Sequence, residues 1–316
     1  MTLDTQSPLR HIPVLVDEVC DLLITDRTGV YVDGTFGLGG HSKALSSLLH
    51  ADATLIGIDQ DQTALSEFSP SLLQQSLHLV CTNFENLDQV LSDLNIPKVH
   101  GILLDLGLNS FSLDDPERGF AFSLHGPLDM RFDRSNDLTA ETVVNSYSQE
   151  DLANVIYRFG EERNSRRIAR NIVSMRTEQR LTTSDELRLA VKKSVDPRFL
   201  NKSLARVFQA IRIEVNRELE VLETILNTAL KVLVPGGRLA VISYHSLEDR
   251  MVKNHFRDLS QDIPLQPGMH PDELRIPLLR RITGKPVIAQ TSESELNPRA
   301  RSAKLRVAER LEHASQ

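Results

Sequence analysis

Strand-like and helical segments alternate along the first third of this 316-residue chain, and this alternation constrains the fold more than any other feature. Strands are predicted at 30–36, 54–59, 77–84 and 99–107, and helical patterns lie between them at 41–49, from 62 onward and at 87–94. The fourth strand, VHGILLDLG, is apolar enough to be buried on both faces. A βαβαβαβ order needs crossover connections, and it therefore predicts a parallel, doubly wound α/β sheet.

The pattern changes after residue 112. Residues 113–205 carry no strong strand signal, and capping-box spacing at Ser148 and Thr183 marks two helix starts. The α/β pattern then resumes with a helix at 217–233, a strand at 238–244 and a predicted closing strand pair at 286–290 and 303–310. We therefore predict one α/β domain from residues 1–112 and 206–316, with a small helical domain inserted at 113–205.

Composition excludes several classes of protein. No stretch approaches 18 apolar residues, the first residues lack the apolar segment of a secretory signal, and Cys20 and Cys81 show no metal-ligand spacing. We expect a cytoplasmic protein with reduced cysteines, no membrane partner and no metal.

Positive charge is concentrated in one part of the chain. The formal net charge is −7, yet residues 158–217 contain 15 Lys and Arg against 7 Asp and Glu. This local excess either indicates an anionic ligand or reflects mixed-charge solvated helix faces.

The segment VDGTFGLGGHS, residues 32–42, places a glycine-rich turn between the first strand and the next helix. Glycines allow a ligand to approach the backbone closely, and a helix start offers free N–H groups to a carboxylate or phosphate. Asp59 ends the next strand, 20 residues after Gly39, where a carboxylate can accept both hydroxyls of a ribose. This pattern predicts a nucleoside-containing cofactor, although a tight structural turn is an alternative.

The register of the glycines discriminates between two cofactor classes. Read as the dinucleotide pattern GxGxxG, Gly37 and Gly39 fit, but Ser42 occupies the third glycine position. Read as the methyltransferase pattern, Asp33 and the same two glycines fit, and Thr35 replaces the first glycine. The acidic start and the closing strand pair favour S-adenosylmethionine (SAM) over NAD, and the layout is that of a class I SAM-dependent methyltransferase, with a Rossmann-like seven-stranded sheet.

Further site residues follow from the ends of the strands. Ligands of open α/β sheets bind outside the carboxyl ends of the strands, so Gly39, Gly40, Asp59, Phe84 and Asp105 should converge on one crevice. Phe84 follows the third strand, where an apolar ring could pack on an adenine. Any single one of these residues could instead be structural.

Longer motifs resemble one family over nearly the whole chain. They include YVDGTFGLGGHS (31–42), DLGLNS (105–110), GEER (160–163), ISYHSLEDR (242–250) and NPRARSAKLR (297–306). These motifs resemble the bacterial 16S ribosomal RNA cytosine-N4 methyltransferases of the RsmH/MraW family.

The resemblance implies a class I methyltransferase core, SAM as methyl donor, a cytoplasmic enzyme and an inserted helical domain that helps to bind RNA. The implied reaction is N4 methylation of a cytosine in the decoding region of the small ribosomal subunit; a homodimer is left open. The implied SAM contacts are Gly39, Gly40, His41, Asp59, Phe84, Asp105 and Ser112. The family usually has Gln at the position of Ser112, Ser at that of Asn109 and Phe at that of Tyr244.

Cytosine N4 is a poor nucleophile, so the enzyme must accept a proton from it as the new bond forms. We hypothesise that Asp105 or the Asn109 side-chain carbonyl accepts the N4 hydrogen bond. The alternative for Asp105 is that it only holds the cofactor.

Other side chains are candidates for contact with RNA, each with a structural alternative. Arg118, Phe120 and Arg131 could clamp the flipped base, or they could pin an ordered loop. His245 could face the site, although Ser246 with Asp249 has capping-box spacing. A basic stripe suited to phosphates is predicted at Arg299, Arg301, Lys304 and Arg306, although alternate residues of an edge strand would also simply face water.

Three other functions remain compatible with the sequence: a methyltransferase acting on a protein or small molecule, a nicotinamide-dependent oxidoreductase, and a non-catalytic RNA-binding protein. The basic insertion argues against the first. Comparison of thermal stabilisation by SAM and by NAD would test the second, and tight SAM binding without turnover would support the third.

Overall fold

The computed structural model describes residues 13–70, 73–107, 113, 115–262 and 276–312. The chain divides into two compact units, one formed by residues 1–107 with 221–316 and the other by residues 108–220. The strands are β1 Val30–Asp33, β2 Thr54–Asp59, β3 Ser76–Cys81, β4 Val99–Asp105, β5 Leu233–Ser243, β6 Leu279–Arg281 and β7 Lys304–Arg310. The helices are α1 Val16–Leu23, α2 Gly40–Leu48, α3 Gln62–Glu67, α4 Leu87–Asp93, α5 Ala140–Ser146, α6 Gln149–Gly160, α7 Ser165–Glu178, α8 Ser184–Lys192, α9 Leu200–Asn216, α10 Glu218–Val232, α11 Ser246–Asp258 and α12 Thr291–Leu296.

The first unit contains a seven-stranded sheet with the order β3-β2-β1-β4-β5-β7-β6. Strands β1 to β5 pair in parallel, and β7 runs antiparallel to both of its neighbours. This arrangement confirms the predicted Rossmann-like α/β fold. Because the parallel strands share one direction, their carboxyl ends lie along one edge of the sheet.

Alternate residues of each strand face opposite sides of the sheet and bury two separate cores. On β4, Ile102 and Leu104 belong to a core that also includes residues of α4 and α10. Leu103, between them, belongs to the opposite core with residues of α1 and α2. The near-continuous apolar run of β4 follows from this burial on both faces.

The closing strand pair differs from the prediction. The strand paired with β7 is β6, Leu279–Arg281, whereas Val287 forms only an isolated bridge with Leu305. The predicted strand at 286–290 was therefore wrong, and β7 lies between β5 and β6 instead of at the edge of the sheet.

The second unit is helical and has its own core. Its helices α5 to α9 bury apolar residues that include Ile156, Ile168 and Phe208. The predicted helix starts are confirmed, because the Ser148 hydroxyl accepts the Asp151 N–H and Thr183 forms a capping box with Glu186.

The carboxyl-terminal limit of this unit lies further along the chain than predicted. A boundary at 205 would cut α9, whose residues Val207, Phe208 and Ile211 pack in the core of the second unit. The structure places the limit at residue 220 for this reason.

Within the described ranges, no helix combines the length and apolar character needed to cross a membrane. Cys20 and Cys81 are free thiols.

Candidate functional site

The predicted glycine-rich turn follows β1 and leads directly into α2. Gly37 and Gly39 adopt positive φ values of 52° and 72°, and Gly39 is the N-cap of α2. A Cβ atom on Gly39 would lie 2.5 Å from the Phe68 ring, so neither the backbone conformation nor the available space admits a side chain there. The turn thus presents bare backbone at the carboxyl end of the sheet.

Asp59 holds this turn from the neighbouring strand. The Gly37 N–H donates to Asp59 Oδ2 at 2.7 Å, and the Asp61 N–H donates to Oδ1 at 2.9 Å. Burial raises the pKa of Asp59, and these backbone donors act in the opposite direction. Each carboxylate oxygen can accept more than one hydrogen bond, so Asp59 keeps acceptor capacity for a ligand hydroxyl.

Asp33 is buried beneath the same turn. The Ser42 hydroxyl donates to Asp33 Oδ2 at 2.7 Å, and the Thr35 N–H donates to Oδ1 at 3.3 Å. Burial raises the pKa of Asp33, while His41 and the Ser42 hydroxyl oppose that rise. Asp33 therefore anchors the turn from inside the protein.

His41 lies between the turn and the end of β4. Its Nε2 is 2.9 Å from the carbonyl oxygen of Val14, which can only accept, so Nε2 carries a proton. Its Nδ1 faces Asp105 Oδ2 at 3.9 Å. His41 is thereby fixed with one ring nitrogen toward the carboxylate predicted to be catalytic.

Asp105 is held by its backbone and keeps one free carboxylate oxygen. Its N–H donates to Thr35 Oγ1 at 2.7 Å, which ties the end of β4 to the glycine-rich turn. Asp105 Oδ1 is buried and has no hydrogen-bond partner among the residues that the structure describes. Because buried polar atoms are almost always paired, this oxygen indicates a place for a ligand donor.

Tyr244, which follows β5, completes this group of side chains. Its ring lies so close to Gly107 that a Cβ atom added there would be 2.7 Å from it. Burial, the charge of Asp105 and a side-chain hydrogen bond with it raise the pKa of Tyr244 far above its usual value. The hydroxyl is therefore protonated and can donate to Asp105.

Sequence reasoning gave no site role to Thr35 or Tyr244. Thr35 was noted only because it replaces a glycine in the methyltransferase pattern, and Tyr244 only because Phe is common at its position. Both substitutions add a hydroxyl, and both hydroxyls lie beside Asp105.

The structure brings most of the predicted cofactor residues to one edge of the sheet in the first unit. Phe84 begins a short 3-10 turn after β3, and its Cβ lies 3.3 Å from where a Cβ on Gly34 would be. It therefore borders the same turn as His41, Asp59 and Asp105. Asn109 and Ser112 lie outside the described residues.

Arg118, Phe120 and Arg131 belong to the second unit, where they have structural contacts. The Arg118 guanidinium donates to the carbonyls of Arg131 and Phe132 at 3.2 and 3.1 Å, and the Phe120 ring stacks on that of Phe132 at 5.4 Å. Arg131 forms a two-pronged pair with Asp129 at 2.8 and 2.9 Å. These contacts support the ordered-loop alternative, and contact with the target base stays a prediction.

His245 is the N-cap of α11 and forms its capping box with Glu248. The predicted box of Ser246 with Asp249 was therefore wrong by one residue. Asp249 instead contacts two members of the predicted basic stripe, Arg306 at 2.7 Å and Lys304 at 3.3 Å.

The basic stripe is consequently not a free row of cations on an edge strand. Arg306 is buried and paired, and β7 is an interior strand. Arg299 and Arg301 lie instead on the 3-10 turn Pro298–Ser302 that precedes β7. Their contact with RNA stays a prediction, as does that of His245.

Comparisons with known proteins agree with the geometry. The model of the MraW methylase family matches residues 8–311. A protein of Halothermothrix orenii named ribosomal RNA small subunit methyltransferase H is 42% identical over 313 residues, covering 96% of this chain and 99% of its own. A protein of the same name from Caldicellulosiruptor saccharolyticus is 43% identical over 309 residues, covering 95% and 99%.

A solved structure described as an rRNA methylase from Streptococcus thermophilus aligns over 98% of this chain and 99% of its own, with a TM-score of 0.40 and 12% identity. That likeness is too low to add to the assignment. The match of the family model over nearly the whole chain, together with relatives above 40% identity, shows that this chain belongs to the MraW methylase family.

Proposed function

We propose that this chain is a SAM-dependent methyltransferase that methylates N4 of a cytosine in the decoding region of 16S ribosomal RNA. The observation that carries the proposal is the unpaired, buried Oδ1 of Asp105 at the carboxyl end of β4, beside His41 and Tyr244. A methyl acceptor with an exocyclic N–H group would satisfy that oxygen.

The residues around the glycine-rich turn fit SAM. Asp59 has spare acceptor capacity for the two ribose hydroxyls. The Gly39 N–H donates to the Phe36 carbonyl at 2.8 Å, so Gly39 lets the ligand approach its bare backbone, and the N–H groups of Gly40 and His41 at the start of α2 face the carboxylate of the methionine moiety. Phe84 supplies an apolar ring for the adenine. When bound, SAM supplies an electrophilic methyl group.

The chain's own residues must make N4 nucleophilic. The N4 lone pair of cytosine is delocalised into the ring, so an acceptor on an N4–H group localises the lone pair. Asp105 Oδ1 accepts that hydrogen bond and takes the proton after the N–C bond has formed. The Asp105 N–H donates to Thr35 Oγ1 at 2.7 Å and so fixes the backbone that carries the carboxylate, and the Tyr244 hydroxyl can donate to the carboxylate itself. The Asn109 carbonyl is the alternative acceptor.

The substrate assignment rests on the family and on the charge of the insertion. The relatives are named ribosomal RNA small subunit methyltransferase H, and residues 158–217 carry a formal charge of +8 in a chain of −7. We propose a cytoplasmic location, because a ribosomal RNA substrate is found there. A homodimer stays a prediction that analytical ultracentrifugation would check.

Nucleoside mass spectrometry tests the proposal directly. The purified protein is incubated with SAM and with small ribosomal subunits that lack base methylation, and the RNA is then digested. We expect N4-methylcytidine at a single position in the decoding region. SAM binding without any methylated nucleoside would contradict the RNA methyltransferase assignment and favour a non-catalytic or non-RNA function.

A further inference from the structure

One face of helix α7, Ser165–Glu178, carries a concentration of positive charge that no carboxylate among the described residues pairs with. Arg166, Arg167 and Arg170 lie on the first two turns of the helix, and Arg163 lies in the turn before its N-cap, Asn164. Helical spacing places Arg166, Arg167 and Arg170 on one side of the helix, and Arg163 is exposed beside the start of that side. We call these four residues the α7 arginine cluster.

The opposite face of α7 explains why the cluster must point outward. Ser165, Ile168, Ala169 and Ile172 repeat at the same spacing and are buried. The three aliphatic residues belong to the core of the second unit. All four arginines are exposed. The helix is therefore fixed by its apolar face, and the cluster is held as a rigid row on the surface.

Most of the other arginines of the second unit are paired with carboxylates. Seven of these eleven form ion pairs: Arg131, Arg180, Arg188, Arg198, Arg206, Arg212 and Arg217. By contrast, the members of the cluster form no ion pair with any residue in the described parts of the chain.

The buried acidic residue nearest the cluster, Glu162, is engaged by other residues. Between residues 160 and 177 the only acidic residues are Glu161 and Glu162. Glu162 is buried, accepts the Asn164 N–H and the Ser203 hydroxyl at 2.9 Å each, and lies 3.5 Å from Arg206. The first turn of α7 contains no acidic residue, so its free N–H groups add further positive potential.

We propose that the α7 arginine cluster binds the phosphate backbone of the RNA substrate, a role that rests on the proposed function and locates its RNA contact. A row of guanidinium groups matches phosphate oxygens, because each group can donate two parallel hydrogen bonds. The cluster provides affinity and orientation without reading sequence, since phosphate contacts carry no base information. The target base is selected at the methylation site in the first unit.

The test compares two sets of Arg→Gln variants within the same unit. The cluster variant is R163Q/R166Q/R167Q/R170Q, with R166Q/R170Q as a milder form. The matched control is R180Q/R198Q, which also removes two exposed arginines, but these are already paired with Glu141 and Asp196. The probe is small-subunit ribosomal RNA transcribed in vitro, which carries no modification.

Equilibrium binding is measured as a function of salt concentration. We expect the slope of log Kd against log salt to fall by about 0.7 for each lost contact to single-stranded RNA, and affinity at low salt to fall at least about tenfold for the full cluster variant. R166Q/R170Q should lose more affinity than R180Q/R198Q. With unmethylated small subunits, the KM of the cluster variants should rise while kcat at saturation stays unchanged.

SAM binding and thermal unfolding of each variant establish that the first unit and the fold are intact. Cluster variants with the wild-type salt slope would overturn the inference, as would a control that loses equal affinity. A wild-type protein that methylates no RNA contradicts the proposed function itself, whereas normal methylation with an unchanged slope overturns the α7 arginine cluster alone.

Discussion

At the scale of single residues, the oxygens of Asp105 differ in their surroundings. Oδ2 lies 3.9 Å from His41 Nδ1, whereas Oδ1 is buried and has no hydrogen-bond partner in the described part of the chain. The two oxygens can therefore have different roles: Oδ2 faces a residue of the protein, whereas Oδ1 is available to accept a hydrogen bond from a ligand. It also explains why the sequence could identify Asp105, at the end of a strand, but could not choose between catalysis and cofactor binding.

Replacing Asp105 with Asn distinguishes those two roles. The amide keeps the size of the side chain but cannot take a proton, so we expect kcat to fall by about 10²–10⁴-fold at saturating SAM. Single-turnover methylation at several SAM concentrations measures this. Recovery of the wild-type rate at high SAM would show that Asp105 only holds the cofactor.

Replacing Thr35 with Val tests the bond that positions Asp105. The variant keeps the shape of the side chain and removes the Oγ1 that accepts the Asp105 N–H at 2.7 Å. We expect a loss of about 1–3 kcal/mol in the free energy of unfolding, since an acceptor is removed from a buried donor, together with weaker SAM binding. Urea unfolding and calorimetric titration measure both quantities.

Thr54→Val on β2 is the matched control, because the structure shows no hydrogen bond from its hydroxyl. It should change stability by no more than about 0.5 kcal/mol. Equal effects of the two variants would contradict the role of Thr35.

At the scale of elements, one carboxylate joins helix α11 to strand β7. Asp249 contacts the buried Arg306 at 2.7 Å and Lys304 at 3.3 Å. Burial raises the pKa of Asp249, but the hydrogen bonds and charges of these two cations outweigh it and lower the pKa overall. The contacts of Asp249 with Arg306 and Lys304 therefore stabilise the folded state while Asp249 is ionised.

This linkage gives Asp249→Asn a pH-dependent effect. The stabilisation is complete above the unfolded-state pKa of about 3.9 and is lost as pH falls through the lower folded-state value. We expect a cost of about 1–3 kcal/mol at pH 7, because Arg306 remains buried without its charge partner, and a smaller difference from wild type below about pH 4. Chemical unfolding from pH 3 to pH 8 measures it.

Asp258→Asn, on the same helix, is the control, since Asp258 pairs with Arg257 in an exposed position. It should cost no more than about 1 kcal/mol at any pH. A pH-independent cost for Asp249→Asn would contradict the electrostatic account.

The sequence predicted best those elements whose residue pattern matches their burial or their capping in the folded protein. Strands β2 and β4 were found because both of their faces are buried, and the starts of α6 and α8 because their capping residues satisfy free N–H groups. Strand β6 was missed because Leu279–Arg281 is only three residues long and its position depends on pairing with β7. The residues of β6 themselves carry no sequence pattern that would indicate pairing with a strand more than 20 residues further along the chain.

The cap of α11 shows a related limit. Ser246 is the more common capping residue, but His245 takes the position because its ring accepts the Glu248 N–H. The sequence offers two possible capping boxes one residue apart, and it does not distinguish between them. The end of the preceding strand determines at which of the two residues the helix begins.

At the scale of the whole molecule, the cofactor residues that the structure describes all belong to the first unit. SAM should therefore protect backbone amides unevenly. We expect hydrogen exchange to slow around residues 33–41, 59–61 and 105, while the core amides of α6 and α9 change little. Exchange followed by mass spectrometry with and without SAM measures this, and equal protection of both units would contradict a cofactor site confined to the first.

The division of the chain has a further consequence during protein synthesis. Strand β4 ends at Asp105, but its partner in the centre of the sheet, β5, begins to pair with it only at Leu233. At about 5–20 residues per second, the ribosome needs on the order of ten seconds to make the intervening segment. During that interval the edge of β4 that will pair with β5 has no partner, whereas the helical unit can already fold. The nascent chain is therefore most exposed to aggregation between these two points, and a pause in translation within residues 108–220 would prolong that exposure.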